Sequence, residues 1–572
     1  MKTEMLIPLL LIPLALAGCS DGGTEAADLA LSPTLVRSGG PIGSAGLVSS
    51  AHETATVVGI EILEAGGNAF DAAVAIAATL TVVEPMNSNL FGGYGTLITY
   101  DSETGNLRYL DNNGRFPRAV NSDVFRPPAN LREMMRTAKA VSTPGNLQGF
   151  EALWKEYGSM PWAELFDGAI AAAENGVTVY EGLAGSIARA WPVLSGYTKG
   201  IYGGVDGEPL ESGDLLVQSD LAESFRIAAR DGSAALQGGV LGEALVAEME
   251  RREGFLAMED LVASRAEWFE PIRIDYRGYE VVTAGPPSNS FASLVSLGIM
   301  SRFDNAALGH NSAAYLHRFA EATKHAFWAR LKYAGGPEVS PPPLDILLSP
   351  AYWQAQADAI DLESAATFVP PAGSGAEAED TTHFVVADSE GNVVSATITL
   401  GDGFGSTVMV EGTGIWLNNS LAYSTFEPKG NPMDALPGNR KHSSKTPTMI
   451  LRDGLPWVAI GTPGGHTIPQ TTAQMVINLI DFEMDIQAAV DAGRVAFAEP
   501  QSLQVGDRVP EEIRAVLESM GHEIRTRRGI GRAHALLIER NVDGSPSRFL
   551  GAADSRGGGV AMGVDSPSSI PF

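Results

Sequence analysis

Apolar residues recur every three or four positions in several stretches of the chain, which is the spacing of one face of an α-helix. On this basis we predict helices at Ala51–Glu64, Ala69–Val83, Leu147–Tyr157, Trp162–Asn175, Ala313–Tyr333, Thr471–Asp481, Ile486–Ala492 and Glu511–Met520. Asn68 directly precedes the second helix and can accept a hydrogen bond from its first backbone N–H groups, while Asp71 falls in its first turn.

Other stretches are rich in β-branched and aromatic residues and are bounded by turn residues, which predicts strands. These are 96–110, around a turn at Gly105 and Asn106, and Tyr276–Val282, His383–Ala387, Val393–Leu400, Gly414–Leu417, Thr448–Arg452 and Trp457–Gly461. The chain is therefore expected to be globular from Ser49 onwards, with mixed helix and strand of the α/β (α+β) class.

The segment Thr367–Asp380 breaks this pattern. It reads TFVPPAGSGAEAED, and its Pro, Gly, Ala and acidic residues predict a flexible loop. A β-hairpin is expected directly after it, around the turn Ser389–Asn392. If Asp388 pairs with Val393, Thr381 lies across from Leu400 and Thr399 is one residue away on the partner strand.

The N-terminus has the pattern of an export signal. The apolar run from Leu6 to Ala17 is too short to span a bilayer and is typical of a signal peptide. Residues 16–19, LAGC, resemble a bacterial lipobox, and Cys19 is the only cysteine of the chain. We expect a signal peptide at 1–18, a lipidated Cys19 with a tether to residue 39, and a periplasmic or cell-surface, membrane-anchored protein. A cleaved secretory signal with an incidental Cys19 is the alternative.

Charge and composition exclude several functions. A formal net charge of -29 disfavours nucleic-acid binding, which needs clustered Lys and Arg, and the basic run from Arg525 to Arg532 is expected to be a solvated face. The nine histidines include no pair at HxxxH or HxH spacing, so local sequence predicts no zinc site. No GxxxxGK phosphate loop is present.

Thr381 is the strongest candidate for chemistry, because it follows the loop and begins a strand. A Thr hydroxyl is a weak nucleophile unless a base takes its proton. If the Asp380–Thr381 bond were cut, the new α-amine of Thr381, with a pKa of about 7.7–8.0, could serve as that base. The alternative is an ordinary strand threonine.

Two further segments offer supporting groups. Gly464 and Gly465 follow the strand Trp457–Gly461, and paired glycines allow a backbone turn to approach a ligand and present N–H groups to an oxyanion. Ser443 and Ser444 supply hydroxyls. Each of these features is weak by itself.

Together, these features occur in one order in the γ-glutamyltransferase family, which the chain resembles over residues 40–565. The matching motifs are GGNAFDAAVA, VVEP, STPGN, YRGYEVV, GPPS, EATKHAFWARLKY, DTTH, GIWLNN, SSKTPT, GTPGGHT and GAADSRGGG. The resemblance implies a four-layer αββα sandwich of the N-terminal nucleophile hydrolase type. It also implies self-cleavage into a large fragment, 40–380, and a small fragment, 381–572, which stay together as one intertwined domain.

The resemblance also assigns roles to the candidates. It implies that Thr381 is the nucleophile, that Thr399 assists processing and orients it, and that Gly464 and Gly465 form the oxyanion hole. Ser443 and Ser444 match serines that contact the substrate carboxylate. No metal or organic cofactor is implied, and the expected partners are a small-molecule amide and the two fragments of the same chain.

The chain departs from the family pattern in its substrate-binding residues. Asn113 stands where the family has an arginine for the γ-glutamyl α-carboxylate, and Arg115 is the nearest arginine that might replace it. Gly401 stands in place of an asparagine. Ser420 and Tyr423 occupy the positions of the residues that hold the substrate α-amine. The shorter segment between Tyr423 and Ser443 predicts a more open pocket.

These observations favour an enzyme that cleaves γ-glutamyl amides, of the glutathione type, through an acyl-enzyme that water or an amine then releases. Two alternatives remain open at this point. One is a glutaryl- or cephalosporin-acylase-like amide hydrolase with a rebuilt pocket, and the other is a non-catalytic surface-binding lipoprotein.

Overall fold

A computed structural model of the protein describes residues 40, 42–333, 335–371 and 380–565. The predicted signal peptide, Cys19 and the tether lie outside the described residues, as do residues 372–379 of the predicted loop. Within the described part of the chain, the helices are all too short or too polar to cross a membrane.

The strands, in chain order, are β1 Ile42–Gly43, β2 Gly46–Ser50, β3 Tyr94–Asp101, β4 Asn106–Asn112, β5 Val177–Thr178, β6 Leu215–Leu216, β7 Glu267–Phe269, β8 Ile272–Tyr276, β9 Tyr279–Thr283, β10 Asp380–Asp388, β11 Val393–Gly401, β12 Met409–Val410, β13 Ile415–Trp416, β14 Thr448–Arg452, β15 Leu455–Gly461, β16 Val495–Ala498, β17 Ser502–Gly506, β18 Glu523–Arg527, β19 His534–Arg540, β20 Pro546–Ala553 and β21 Val560–Val564.

The α-helices, in the same order, are α1 Glu53–Glu64, α2 Ala69–Val83, α3 Leu131–Met134, α4 Asn146–Tyr157, α5 Asp167–Asn175, α6 Glu181–Ala190, α7 Gly196–Tyr202, α8 Ser219–Asp231, α9 Val240–Arg251, α10 Met258–Ala263, α11 Phe291–Met300, α12 Asn305–Leu308, α13 Ala313–Tyr333, α14 Leu344–Leu347, α15 Pro350–Asp358, α16 Thr467–Ile480, α17 Ile486–Asp491 and α18 Glu511–Ser519.

Two seven-stranded sheets form the centre of the fold. Their strand orders are β1-β20-β19-β15-β14-β9-β8 and β21-β2-β10-β11-β3-β4-β7. In the second sheet, β10 and β11 lie between β2 and β3, so strands from both sides of the Asp380–Thr381 bond are hydrogen-bonded neighbours. The segments before and after this bond are therefore parts of one structure.

The sheets pack face to face, and helices cover their outer faces. Val385 and Ala387 of β10 share a buried core with Met449 of β14 and Ala459 of β15, between the sheets. A second core joins the outer face of the β10 sheet to helices including α1, α2, α4, α5 and α8, and a third joins the other sheet to α11, α13, α16 and α17. This is the αββα sandwich that the family resemblance implied, and the fold prediction is confirmed.

Helix α2 shows why the sequence gives these layers. All its residues are buried, and its alanines let it pack closely beneath the sheet. Asn68 accepts hydrogen bonds from the N–H groups of Phe70 and Asp71, while the Asp71 side chain accepts one from the Asn68 N–H, which completes a capping box. The predicted cap and both predicted ends of this helix are confirmed.

Two predicted elements differ in the structure. Tyr276–Val282 is a turn between β8 and β9, because Arg277 and Gly278 have φ angles of 59° and 84°, which suit a two-residue hairpin turn. Trp162–Asn175 begins as a 3-10 turn over Trp162–Phe166 and becomes α-helical only at Asp167.

The layer between the sheets becomes polar at one end. Alternate residues of a strand share a face, so Val385 and Ala387 of β10 are followed on the same face by His383 and Thr381. Across the hairpin, Thr397 pairs with His383. The fold therefore places these polar side chains at the end of an otherwise apolar layer.

Candidate active site

A β-bulge brings Thr381 and Thr399 together. The hairpin pairs Ala387 with Val393, one residue off the predicted pairing, and Thr382 with Ile398, whereas Asp380 pairs with Gly401. Both Thr399 and Leu400 therefore oppose Thr381, so the prediction that Leu400 alone lies across from it was wrong. Bulges of this kind commonly re-aim a side chain beside an active site.

The Thr399 hydroxyl contacts both sides of the bond predicted to be cut. Thr381 Oγ1 donates a hydrogen bond of 3.2 Å to Thr399 Oγ1. Thr399 Oγ1 donates in turn to the carbonyl oxygen of Asp380, at 2.8 Å, and accepts from the Gly401 N–H at 2.8 Å. Thr381 is 2% exposed, so these groups are shielded from water.

Glu84 lies next to Thr381 and was not singled out from the sequence, although it belongs to the VVEP motif. Both residues line a small cavity with Asn87, Arg532 and other residues. Asn87 Nδ2 donates to Glu84 Oε1 at 2.9 Å. Burial raises the pKa of the Glu84 carboxyl, and the charge of Arg532 opposes this shift.

Gly464 and Gly465 form a turn between β15 and α16. Their φ angles are 130° and 58°, values that side chains other than glycine rarely adopt. A Cβ on Gly464 would lie 2.4 Å from Thr467 Oγ1. Gly464 and Asp380 both line the same cavity, so the turn lies close to the predicted cleavage site.

Ser443 and Asn113 are buried polar residues with unused hydrogen-bonding atoms. Ser443 Oγ and Asn113 Oδ1 have no hydrogen-bond partner among the described residues. Asn113 Nδ2 donates to Thr96 Oγ1 at 3.2 Å and to the carboxylate of Asp111. Ser444 is also buried. Most buried polar groups are paired, so unpaired ones in a cluster are typical of a site that holds a ligand.

Ser420 and Tyr423 surround a lysine that the sequence analysis did not consider. Lys441 Nζ donates to Ser420 Oγ and to Ser142 Oγ, each at 2.8 Å. Burial raises the pKa of the Tyr423 hydroxyl far above its usual range, and nearby Tyr94 adds to this shift. Within the described residues, a cation rather than a carboxylate contacts Ser420.

Arg115 does not point to this cluster. Its guanidinium donates to Glu267 Oε1 at 2.8 Å and to Glu338 Oε1 at 3.4 Å, and its side chain is 43% exposed. Because two carboxylates already hold it near the surface, the structure does not support the predicted role of Arg115 in substrate binding. Gly401 is also explained, since a Cβ there would lie 2.0 Å from Asn419 Oδ1.

The segment between Tyr423 and Ser443 is packed over this region. Phe426 and Ala435 are buried in a small core with Phe116 and Phe125. In the uncut chain Ser443 and Ser444 are only 4% and 5% exposed. The more open pocket that was predicted is therefore absent from the described residues of the uncut chain.

The basic run also differs from its prediction. A cavity of about 530 Å³ is lined by Asp380, Gly464 and five arginines: Arg508, Arg527, Arg528, Arg532 and Arg556. Three members of the predicted solvated face thus line a cavity that adjoins the oxyanion turn.

One group of potential metal ligands, His317, Glu321 and His522, comes together in the fold. His317 Nδ1 and His522 Nε2 are 2.8 Å apart and share a hydrogen bond, while His317 Nε2 lies 2.7 Å from the Asp361 carbonyl. Glu321 forms a 2.7 Å ion pair with Lys324. These groups satisfy one another with a cation already present, so we assign no metal to them.

Comparisons with known proteins agree with this geometry. The family described as Gamma-glutamyltranspeptidase matches residues 55–564. The chain is 36% identical over 542 residues to the Acylase ACY 1 proenzyme of Pseudomonas sp. (strain SE83), covering 91% of this chain and 94% of that protein. It is 33% identical over 531 residues to the Glutathione hydrolase proenzyme of Escherichia coli (strain K12), covering 89% and 90%.

A solved structure, the cephalosporin acylase from Bacillus halodurans, superposes with a TM-score of 0.84 at 28% identity, covering 95% of this chain and 100% of that chain. Because the relatives are proenzymes, a non-catalytic binding protein is not favoured. The chain is an enzyme that belongs to the gamma-glutamyltranspeptidase family of self-processing N-terminal nucleophile hydrolases.

Proposed function

We propose that the chain cuts its own Asp380–Thr381 bond and that Thr381 then attacks amide substrates. The observation that carries this proposal is the Thr399 hydroxyl, which accepts a hydrogen bond from Thr381 Oγ1 and donates one to the carbonyl oxygen of Asp380. As Thr381 Oγ attacks the Asp380 carbonyl carbon, its proton passes to Thr399, and the Thr399 proton passes to the carbonyl oxygen.

The tetrahedral intermediate then expels the Thr381 nitrogen, which takes up a proton as the C–N bond breaks, and leaves an ester between Asp380 and Thr381 Oγ. Water hydrolyses this ester, which frees the Asp380 carboxyl group and the Thr381 hydroxyl. The products are the fragments 40–380 and 381–572, and cleavage creates the nucleophile and its α-amine base together.

In the cut enzyme, the α-amine takes the proton of Thr381 Oγ as the hydroxyl attacks an amide carbonyl, and then gives it to the leaving amine. The N–H groups of Gly464 and Gly465 stabilise the oxyanion. Water or a second amine releases the acyl group from Thr381. We assign γ-glutamyl amides of the glutathione type as substrates, supported by the names of the glutathione hydrolase relatives.

A second candidate is hydrolysis of acyl amides that carry no α-amine. The acylase relatives support it, and so does the contact between Lys441 and Ser420, where an ammonium group of the substrate would meet a cation. Comparing the turnover of γ-glutamyl and glutaryl 4-nitroanilides separates the two candidates.

The first test is a denaturing gel with intact masses of the purified protein. We expect two fragments split between residues 380 and 381, and a single uncut chain without amidase activity for Thr381→Ala. An active preparation that holds only the uncut chain would overturn the proposal.

Export and anchoring are supported by the sequence of residues 6–19 alone. We infer that the chain is exported and lipidated on Cys19. Labelling with a radioactive fatty acid should mark the wild-type protein and not Cys19→Ser, which should leave the membrane fraction. Equal membrane association of both would exclude the lipid anchor and favour another mode of attachment.

A further inference from the structure

Two buried lysines lie against one tyrosine ring beside the nucleophile. Lys441 Nζ is 3.4 Å and Lys445 Nζ is 4.1 Å from the centre of the Tyr94 ring. Tyr94 pairs with Thr399 across the sheet, so its side chain is on the same face as Thr399. The two ammonium groups therefore lie one residue layer from the Thr381–Thr399 pair.

Lys445 lacks the partners that a buried ammonium needs. It is 3% exposed, and its Nζ has no hydrogen-bond partner among the described residues, whereas Lys441 Nζ has the two serine hydroxyls. The ring face of Tyr94 compensates only part of the lost hydration. Asp111 attracts both lysines, but it is occupied by the Asn113 side chain and N–H.

Ser443 lies two residues before Lys445 and is also buried with an unpaired hydroxyl. An ammonium and a hydroxyl that both lack partners form a donor set that suits a carboxylate. Lys441, which contacts Ser420, adds a second positive charge and leaves no anion there for a substrate ammonium.

We propose that Lys445, with Ser443, binds a carboxylate at the far end of the acyl chain, and that Lys441 excludes acyl groups with an α-ammonium. The substrate class is then monoamides of short dicarboxylic acids, such as glutaryl amides. This inference rests on the proposed function and specifies the second of its candidates. Lysines on the segment before β14 would thus supply the cation that Asn113 does not.

The test uses the full-length, self-cut enzyme and three 4-nitroanilides: glutaryl, γ-glutamyl and the uncharged pentanoyl. Wild type should prefer the glutaryl substrate. Lys445→Met keeps the length and apolar stem of the side chain without its charge. It should lower kcat/KM for the glutaryl anilide by about 10- to 100-fold, mainly through KM, because a hydrogen bond to a charged group is lost. The pentanoyl anilide should change by less than about threefold, because it makes no such bond.

Lys445→Arg keeps the charge and should retain more glutaryl activity than Lys445→Met. The gel split at 380/381 shows whether each variant has folded and processed. An equal loss on the glutaryl and pentanoyl substrates would mean that Lys445 only supports the fold, which would overturn its binding role. A wild-type preference for the γ-glutamyl anilide would overturn the exclusion by Lys441. An uncut wild-type chain without turnover of any anilide would instead sink the proposed function and this inference with it.

Discussion

Replacing Thr399 by valine tests the processing geometry most directly. Valine has nearly the shape of threonine, so the change removes one hydroxyl and leaves the packing. Three buried groups then lose their partner: the Thr381 hydroxyl, the Asp380 carbonyl and the Gly401 N–H. We expect self-cleavage to slow greatly.

The size of the effect follows from these contacts. The hydrogen bond to the Asp380 carbonyl oxygen strengthens as negative charge develops there, and losing one such donor costs about 2.7–4 kcal/mol, or about 100- to 1,000-fold in rate. Each group left buried and unpaired costs about 1–3 kcal/mol of folding stability. Thr399→Ser keeps the hydroxyl and should cleave at a rate close to that of wild type.

A matched control lies two residues away on the same strand and face. Thr397 Oγ1 shares a 2.8 Å hydrogen bond with His383 Nδ1, which is also buried. Thr397→Val should lose comparable stability but cleave normally. The assay follows the uncut chain on denaturing gels after synthesis in a cell-free system, with thermal unfolding of each variant measured in parallel.

Two results would refute this reasoning. A folded Thr399→Val chain that cuts itself at the wild-type rate would show that the Thr399 hydroxyl takes no part in the reaction. Equal slowing in Thr397→Val would show that the loss comes from stability and not from the contact with the cleaved bond.

Three further predictions concern charge. Burial lowers the pKa of the Lys445 ammonium to about 7, against the attraction of Asp111 and beside Lys441 and Tyr94; the glutaryl-to-pentanoyl ratio of kcat/KM should therefore fall as pH rises through about 7, and a flat ratio would contradict a charged Lys445. The unfolded chain binds more protons than the folded one between that pKa and the ordinary lysine pKa, so Lys445 should make stability rise with pH in that window, and Lys445→Met should flatten the rise in chemical denaturation. Glu84→Gln removes a negative charge beside Thr381, which should lower the pKa of the free α-amine and move the acid limb of the pentanoyl kcat/KM profile to lower pH; an unmoved limb would separate Glu84 from the amine. Arg528→Glu should raise KM for carboxylate-bearing amine acceptors by about three- to tenfold and leave hydrolysis of the pentanoyl anilide unchanged, since the charge lines the cavity and not the acyl side; equal KM values for charged and uncharged acceptors would contradict it.

Local pattern was enough for elements that carry their own signals. Helix α2 has a polar cap followed by an unbroken apolar run, and α13 has long periodicity, so both have the predicted ends. The hairpin of β8 and β9 was missed because its turn depends on a positive φ at Arg277, which residue type does not reveal. The bulge opposite Thr381 was missed for a similar reason, since nothing in β11 marks the extra residue.

Predictability of the site depended on how far along the chain its members are separated. Thr381 and Thr399 are joined by one hairpin, so short-range reasoning could place them together. Glu84 reaches Thr381 from the end of α2, and its neighbour in space is far away in sequence. Lys445 is flanked by serine and threonine, and only the packing of β14 against the other sheet shows that its ammonium is buried.

The lysines change what the missing arginine implies. An arginine binds a carboxylate through two parallel hydrogen bonds in a fixed plane, whereas a lysine is a point charge on a flexible stem. If Lys445 supplies the cation from the segment before β14 while Asn113 holds Asp111, the anchor keeps its charge and loses its fixed direction. Such an anchor can follow a carboxylate through small changes in position. We therefore expect succinyl, glutaryl and adipyl anilides to differ less in KM for this enzyme than for Lys445→Arg, and a sharper selection by wild type would argue that the pocket walls, and not the cation, set the acyl length.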